Sequence, residues 1–148
     1  MSESTIIVRH AEKGDLAFVS QDGYLAESIM TRKIQDGDVF IATCDGREVG
    51  YLRLEYLWSR HPYVELIRVA VPDRRSGVGR ALLSYAEAEA EAHGHVALYS
   101  SSQTDEPEPQ AWHRHMGFEE CGLLAGVNDG GVGEIFFRKM LSRNGMAM

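Results

Sequence analysis

Val69-Ala70-Val71-Pro72-Asp73-Arg74-Arg75-Ser76-Gly77-Val78-Gly79-Arg80 is a short apolar run that turns through an arginine- and glycine-rich loop into a stretch with helical spacing. A strand-loop-helix junction of this kind aims backbone N–H groups and the positive end of the helix dipole at one point. Gly77 and Gly79 remove the Cβ atoms that would hold an anion away. The stretch suits phosphate, and its spacing narrows the choice. A Walker-type loop needs a lysine after its second glycine, and none follows here. A dinucleotide fingerprint needs a third glycine where Leu82 stands. An ordinary β-to-α turn with solvated arginines is the alternative.

Outward from this loop the chain alternates strand and helix patterns. Upstream, residues 5–9 read as a strand, 13–20 and 24–35 as helices closed by Asp36-Gly37, and 38–44 as a strand. Asp45-Gly46 is a hairpin turn joining that strand to its partner at 48–56. His61-Pro62 punctuates, and 63–71 is a fourth strand that Pro72 should stop. Downstream, 77–93 is helical, with Val78, Leu82, Tyr85 or Ala86, and Ala90 able to share a face, and Gly94 follows as the stop. Then come a strand at 96–100, a short helix at 107–116 whose two prolines delay its start, and closing strands at 118–124 and 133–140 around the turn 128–131. Residues 142–148 read as a frayed tail.

Composition bounds the function. At 148 residues the chain is about one domain long. Apolar residues make up 44% and charged residues 25%, ordinary globular usage. No apolar run approaches the ~20 residues of a membrane span, and Met1-Ser2-Glu3-Ser4 lacks the basic and apolar regions of a signal peptide, so the expected compartment is the cytoplasm, with no membrane partner. Cys44 and Cys121 have no paired spacing, which favours reduced thiols over a disulfide or zinc site. A net charge of −7 argues against a nucleic-acid partner and permits a cationic one.

Arg74-x-x-Gly77-x-Gly79 after a strand resembles the Arg/Gln-x-x-Gly-x-Gly/Ala signature of the GNAT acetyltransferases. Other stretches strengthen the resemblance. Glu65-Leu-Ile-Arg-Val-Ala-Val is similar to the family's central strand, Gln110-Ala-Trp-His-Arg-His-Met-Gly-Phe118 to its Ala-x-x-Phe-Tyr-x-x-x-Gly-Phe block, and Glu134-Ile-Phe-Phe-Arg-Lys-Met-Leu141 to its final strand. The order of elements also matches over nearly the whole chain. The resemblance implies an α/β (α+β) GNAT fold in a single domain, 1–148. Its mixed, mostly antiparallel twisted sheet would have about seven strands, flanked by about four helices and splayed between strands 4 and 5.

The same resemblance implies acetyl-CoA as cofactor, with the pantetheine arm in the splay against backbone groups of Val69 and Val71. The diphosphate would meet N–H groups of Arg75, Ser76, Gly77, Val78, Gly79 and Arg80, helped by the Arg74 and Arg75 side chains. The side chains of Val69 and Val71 are expected in the core. Acetyl transfer to an amine needs the neutral nucleophile, whereas a lysine-like amine has a pKa of about 10.4. Glu65 matches a strand carboxylate that serves as base in some relatives. A solvated or arginine-paired glutamate is its alternative, and Glu55 is the reserve. His113 stands where the family usually has a tyrosine beside the leaving thiolate; it is read as proton donor, substrate contact or plain surface residue. Trp112 reads as core, and His93, His95 and His115 show no metal-like grouping.

Ser101, in the Ser100-Ser101-Ser102-Gln103 stretch, is a candidate contact for the pantetheine or the acceptor, and the carboxylates Asp105, Glu106 and Glu108 stand where the resemblance implies the acceptor mouth; a simple loop is the alternative for both. The expected activity is acetyl-CoA-dependent transfer to a primary amine of a small molecule or peptide, directly within a ternary complex, with no acyl-cysteine. A non-catalytic CoA-binding or protein-interaction module is the competing reading. Exposed closing strands leave room for a homodimer.

Overall fold

The computed structural model describes residues 5–141; the start at 1–4 and the expected tail at 142–148 lie outside the described residues. The elements run β1 (Ile6–His10), α1 (Leu16–Val19), α2 (Glu27–Gln35), β2 (Val39–Cys44), β3 (Arg47–Leu57), β4 (His61–Val69), α3 (Val78–Ala92), β5 (Ala97–Gln103), α4 (Pro107–His115), β6 (Glu119–Leu124) and β7 (Glu134–Met140). The seven strands follow the order β1-β2-β3-β4-β5-β7-β6. The sheet is mixed: β1–β2, β2–β3, β5–β7 and β6–β7 are antiparallel, whereas β4 and β5 run parallel, registering Tyr63 with Tyr99, and splay apart.

Several boundaries differ from the sequence reading. The fourth strand is His61–Val69, so Pro62 lies inside it, while Val71 sits in a 3-10 turn, Val71–Asp73. Proline's fixed φ and missing N–H favour the start of a tight turn over further pairing, and the ladder closes with the Ala70 N–H donating to the Val49 carbonyl at 2.8 Å. The Val71 side chain is consequently 70% exposed, not core. Helix α2 begins only at Glu27, because the Asp22 carboxylate captures the Tyr24 N–H at 3.0 Å and Gly23 takes φ +74°, which together hold a turn there. Residues 13–20 divide into a 3-10 turn, Lys13–Asp15, and α1. Helix α4 starts at Pro107 without delay: prolines in a first turn remove only donors that would be unpaired anyway. Strand β5 continues to Gln103 because Ser101, Ser102 and Gln103 pair with Phe136, Ile135 and Glu134.

The described chain forms two compact units. One comprises, among the described residues, 5–54 and Leu66–Ala86. Its hairpin turns at Asp45 and Gly46, both at positive φ as a tight two-residue turn requires. Ala11, Val19, Met30, Val39, Ile41 and Tyr51 form one buried cluster within it. Gly50 marks a close approach: a Cβ there would lie 2.7 Å from the Arg68 carbonyl oxygen and 3.2 Å from Val78 Cγ1, which is how the first turn of α3 seats against the sheet. Val78, Leu82 and Ala86 repeat every four residues and are buried, as that face requires.

The other unit comprises, among the described residues, Glu55–Glu65 and 87–141. Its β3–β4 connection turns through Trp58 and Ser59, both at positive φ, with Trp58 82% exposed. Strand β7 is the centre of its closing sheet, flanked by β5 and by β6, whose six residues are all exposed.

Candidate active site

The phosphate-type loop belongs to the first unit. After β4 the chain turns through Val71–Asp73, and Asp73 is pinned by a two-pronged ion pair with Arg47, Nη1 to Oδ2 at 3.0 Å and Nη2 to Oδ1 at 3.1 Å. The Ser76 hydroxyl donates to the Asp73 carbonyl, and Arg74 Nε donates to the Val69 carbonyl at 3.1 Å. Arg75 adopts φ +68° and Gly77 φ +93°. The first is an uncommon conformation for a side-chain-bearing residue and the second suits glycine, so the loop holds a defined, locally strained shape. Helix α3 then starts at Val78, and Ala81 is the residue whose N–H first returns to the loop, donating to the Gly77 carbonyl at 3.0 Å. The first N–H groups of a helix have no acceptor within the helix itself. Arg74, Arg75 and Arg80 are exposed around them. The donor set fits a diphosphate: amides at a helix start, a positive dipole end and guanidinium groups.

The remaining candidates belong to the second unit. On β5, successive side chains point to opposite faces, so three serines in a row have three different fates. Ser100 is buried and its Oγ lies 2.7 Å from His113 Nε2. Ser101 points the other way, its Oγ 2.6 Å from the Tyr63 hydroxyl and 2.6 Å from Glu134 Oε2. Ser102 is buried, and its hydroxyl has no hydrogen-bond partner among the described residues.

His113 is not the surface residue that one reading allowed. It is 4% exposed, stacked on Phe137 at 4.7 Å between ring centres and edge-on to Phe118. Its Nδ1 lies 2.9 Å from the Pro109 carbonyl, which can only accept, so the ring proton sits on Nδ1 and Nε2 accepts from Ser100. Burial, aided by Arg114 and only partly opposed by the Pro109 bond, pushes its pKa down to about 4.

Glu65 is half-buried on β4, two residues from Tyr63 and therefore on the same face. Glu55 is exposed and its Oε1 accepts the N–H of Tyr56 at 3.2 Å. Asp105 and Glu106 are exposed on the β5–α4 connection, where the Glu106 N–H donates to the Gln103 carbonyl at 3.1 Å. The sequence reading passed over Tyr63, Glu134 and Asn128. Asn128 Nδ2 donates to Glu134 Oε1 at 2.9 Å, completing a chain from Tyr63 through Ser101 to Glu134. Burial first, then the charges of Glu134 and Glu65, raise the Tyr63 pKa above its ordinary value against the lowering effect of Ser101. The available signal was the period of two along β4, which puts Tyr63 beside Glu65.

A family model described as an acetyltransferase (GNAT) domain matches residues 35–120. The chain is also 31% identical, over 141 residues, to an aminoglycoside N(6')-acetyltransferase type 1 from Stenotrophomonas maltophilia, covering 81% of this chain and 90% of that protein. The chain belongs to the GNAT acetyltransferases. It is an acetyl-CoA-dependent N-acetyltransferase, as the resemblance implied. Among solved structures, a nourseothricin acetyltransferase is 33% identical with a TM-score of 0.63, over 72% of this GNAT chain and 68% of the other. The ribosomal-protein-S18-alanine N-acetyltransferase from Escherichia coli matches at a TM-score of 0.78 over 97% and 99% of the two chains, and at 19% identity it speaks for the GNAT fold alone. Among the described residues no helix is long and apolar enough to cross a membrane, and none of the histidines joins a cluster able to hold a metal ion.

Proposed function

We propose that residues 1–148 act as one catalytic domain that acetylates a primary amine on a cationic small molecule, directly within a ternary complex. The observation carrying this reading is the hydrogen-bonded set of Tyr63, Ser101 and Glu134 in the second unit, with Glu65 on the Tyr63 face of β4. A protonated amine is attracted there, and the exposed Asp105 and Glu106 add negative charge to the same unit. The relatives whose names specify aminoglycoside and nourseothricin acetyltransferases support a polycationic acceptor.

Bound acetyl-CoA supplies the activated acetyl thioester. In this reading the 75–80 amides, with Arg74 and Arg75, hold its diphosphate. Val69 and Val71 contribute backbone groups, although each carbonyl already accepts from Arg74, Val69 from Nε at 3.1 Å and Val71 from the N–H at 3.3 Å. Glu65 is the candidate base, and Glu55 the reserve. His113 is reassigned: a neutral imidazole whose one proton is committed to Pro109 is a poor donor to a thiolate, and its role here is to lock α4 onto β5 and β7.

Direct transfer is supported by the cysteines. Cys44 is half-buried, and partial desolvation raises the Cys121 pKa despite Arg138, which leaves less thiolate to attack a thioester. Two unbridged thiols agree with a cytoplasmic enzyme. The exposed edge of β6 is where a second copy would pair, a homodimer that light scattering would detect. The function is tested by thiol release from acetyl-CoA with aminoglycosides, streptothricin-type amines, polyamines, amino acids and peptides. Amine-dependent release by a polycation supports it; release only with peptides overturns the acceptor assignment, and CoA binding without release with any amine favours the non-catalytic module.

A further inference from the structure

We propose that Tyr63, Ser101 and Glu134 form a proton relay that takes the proton from the acceptor ammonium and delivers it to the Glu134 carboxylate. The inference rests on the amine-acetylating reading above and moves the role of base from Glu65 to Glu134, reached through Tyr63 and Ser101.

The direction of each hydrogen bond follows from chemistry. Glu134 as a carboxylate can only accept, so Ser101 donates to its Oε2 at 2.6 Å and Asn128 donates to its Oε1 at 2.9 Å. With its proton committed to Glu134, the Ser101 oxygen accepts from the Tyr63 hydroxyl at 2.6 Å. The Tyr63 oxygen is then left with lone pairs and no proton of its own to spare, the arrangement of a group that accepts. The chain is polarised from β4 through β5 to β7, and each member is half-buried, so it is shielded without being sealed. Phe136 stacks on the Tyr63 ring at 5.7 Å and fixes its plane. The charged groups bearing on the phenol are Glu134 from β7 and Glu65 from β4; both keep it protonated at rest.

The protons balance. The ammonium donates one N–H proton to Tyr63 Oη as the phenol's own proton moves to Ser101 Oγ and the serine's proton moves to Glu134 Oε2. The products are a neutral amine and a neutral glutamic acid, which returns its proton to solvent. In acetyl transfer the amine nitrogen bonds to the acetyl carbon, the C–S bond breaks, and the second amine proton ends on the thiol; nothing is oxidised or reduced. Tyr63 touches the amine, while Ser101 and Glu134 act through it.

The test compares wild type with S101A, S101T, E134Q and Y63F, using acetyl-CoA and an amine found active in the panel. The relay predicts that S101A and Y63F lower kcat/KM at neutral pH by about 10²-fold, that S101T retains most activity because the hydroxyl survives, and that E134Q removes the acidic limb of the kcat/KM profile. A second readout needs no turnover: with carbon-labelled tyrosine, the NMR titration midpoint of Tyr63, identified by its loss in Y63F, falls in E134Q. Unchanged kcat/KM in S101A, an acidic limb that persists in E134Q, or an unmoved Tyr63 midpoint overturns the relay while leaving N-acetylation intact. A wild type inactive with every amine overturns the acetylation reading and the relay with it.

Discussion

Asp22 and Glu134 both accept a hydrogen bond from a hydroxyl on the sheet, and they are put to opposite uses. Asp22, in the first unit, takes the Tyr51 hydroxyl at 2.6 Å and Arg53 Nη1 at 3.1 Å, and the Arg53 and Asp22 side chains are 1% and 2% exposed. Desolvation pushes the Asp22 pKa up, yet the bonds from Arg53, Tyr51 and the Tyr24 N–H outweigh it and hold the carboxyl below its usual range. The same burial, with Asp22 beside it, raises the Tyr51 pKa far above the ordinary. A guanidinium cancels the charge and no proton has anywhere to go. Glu134, in the second unit, has neutral partners in Ser101 and Asn128 and is half-buried. An arginine makes a carboxylate into a fixing point; neutral hydroxyl and amide partners leave its charge uncompensated.

The comparison breaks most visibly at Asp22. D22A leaves the Arg53 guanidinium buried without its counter-ion and is expected to cost about 3–5 kcal/mol of stability, read by chemical denaturation, while kcat per folded molecule is retained. Loss of kcat without loss of stability would erase the distinction drawn above.

The next effect comes from His113, which belongs to neither use. Its pKa is 6.5 in an unfolded chain and about 4 in the fold, so the unfolded state binds the proton more readily. Its stabilising contribution is complete above pH 6.5 and is lost as pH falls towards 4, an order-of-magnitude ~3 kcal/mol. Denaturant midpoints measured across this window should fall with acidification in wild type and lose that part of the slope in H113Q.

Smaller still is Gly77. An added Cβ would meet only Ile6 Cδ1, at 3.8 Å, so the cost of G77A is conformational, about 1–2 kcal/mol at φ +93°. Because the strain falls on the loop of the first unit, it should appear as weaker acetyl-CoA binding in calorimetry, with kcat at saturation near that of wild type. Smallest is the pair C44A and C121A, expected to leave kcat unchanged; a folded variant that has lost turnover would contradict direct transfer.

The architecture was legible because its signals are local. Asp45-Gly46 specifies a tight hairpin turn, Val78, Leu82 and Ala90 mark the buried face of α3 while the choice between Tyr85 and Ala86 fell to Ala86 only in the fold, and Arg74-x-x-Gly77-x-Gly79 announces the loop. Errors arose where one residue outweighed the pattern around it. Pro72 starts a turn two residues earlier than the apolar run suggests, and Asp22 captures the Tyr24 N–H, delaying α2. The second unit's site was less visible because it is assembled from residues far apart in sequence. Nothing in Ser100-Ser101-Ser102 tells which serine meets His113 and which meets Glu134 until β5 is paired with β7 and the alternation of faces acquires a direction.

Calorimetric titration of coenzyme A into the folded protein addresses the central claim, that the loop between β4 and α3 grips the cofactor. Wild type should bind with measurable heat, and R74E combined with R75E should weaken that binding strongly while the protein stays folded. No heat with wild type, or the same affinity in the charge-reversed variant, would contradict the account.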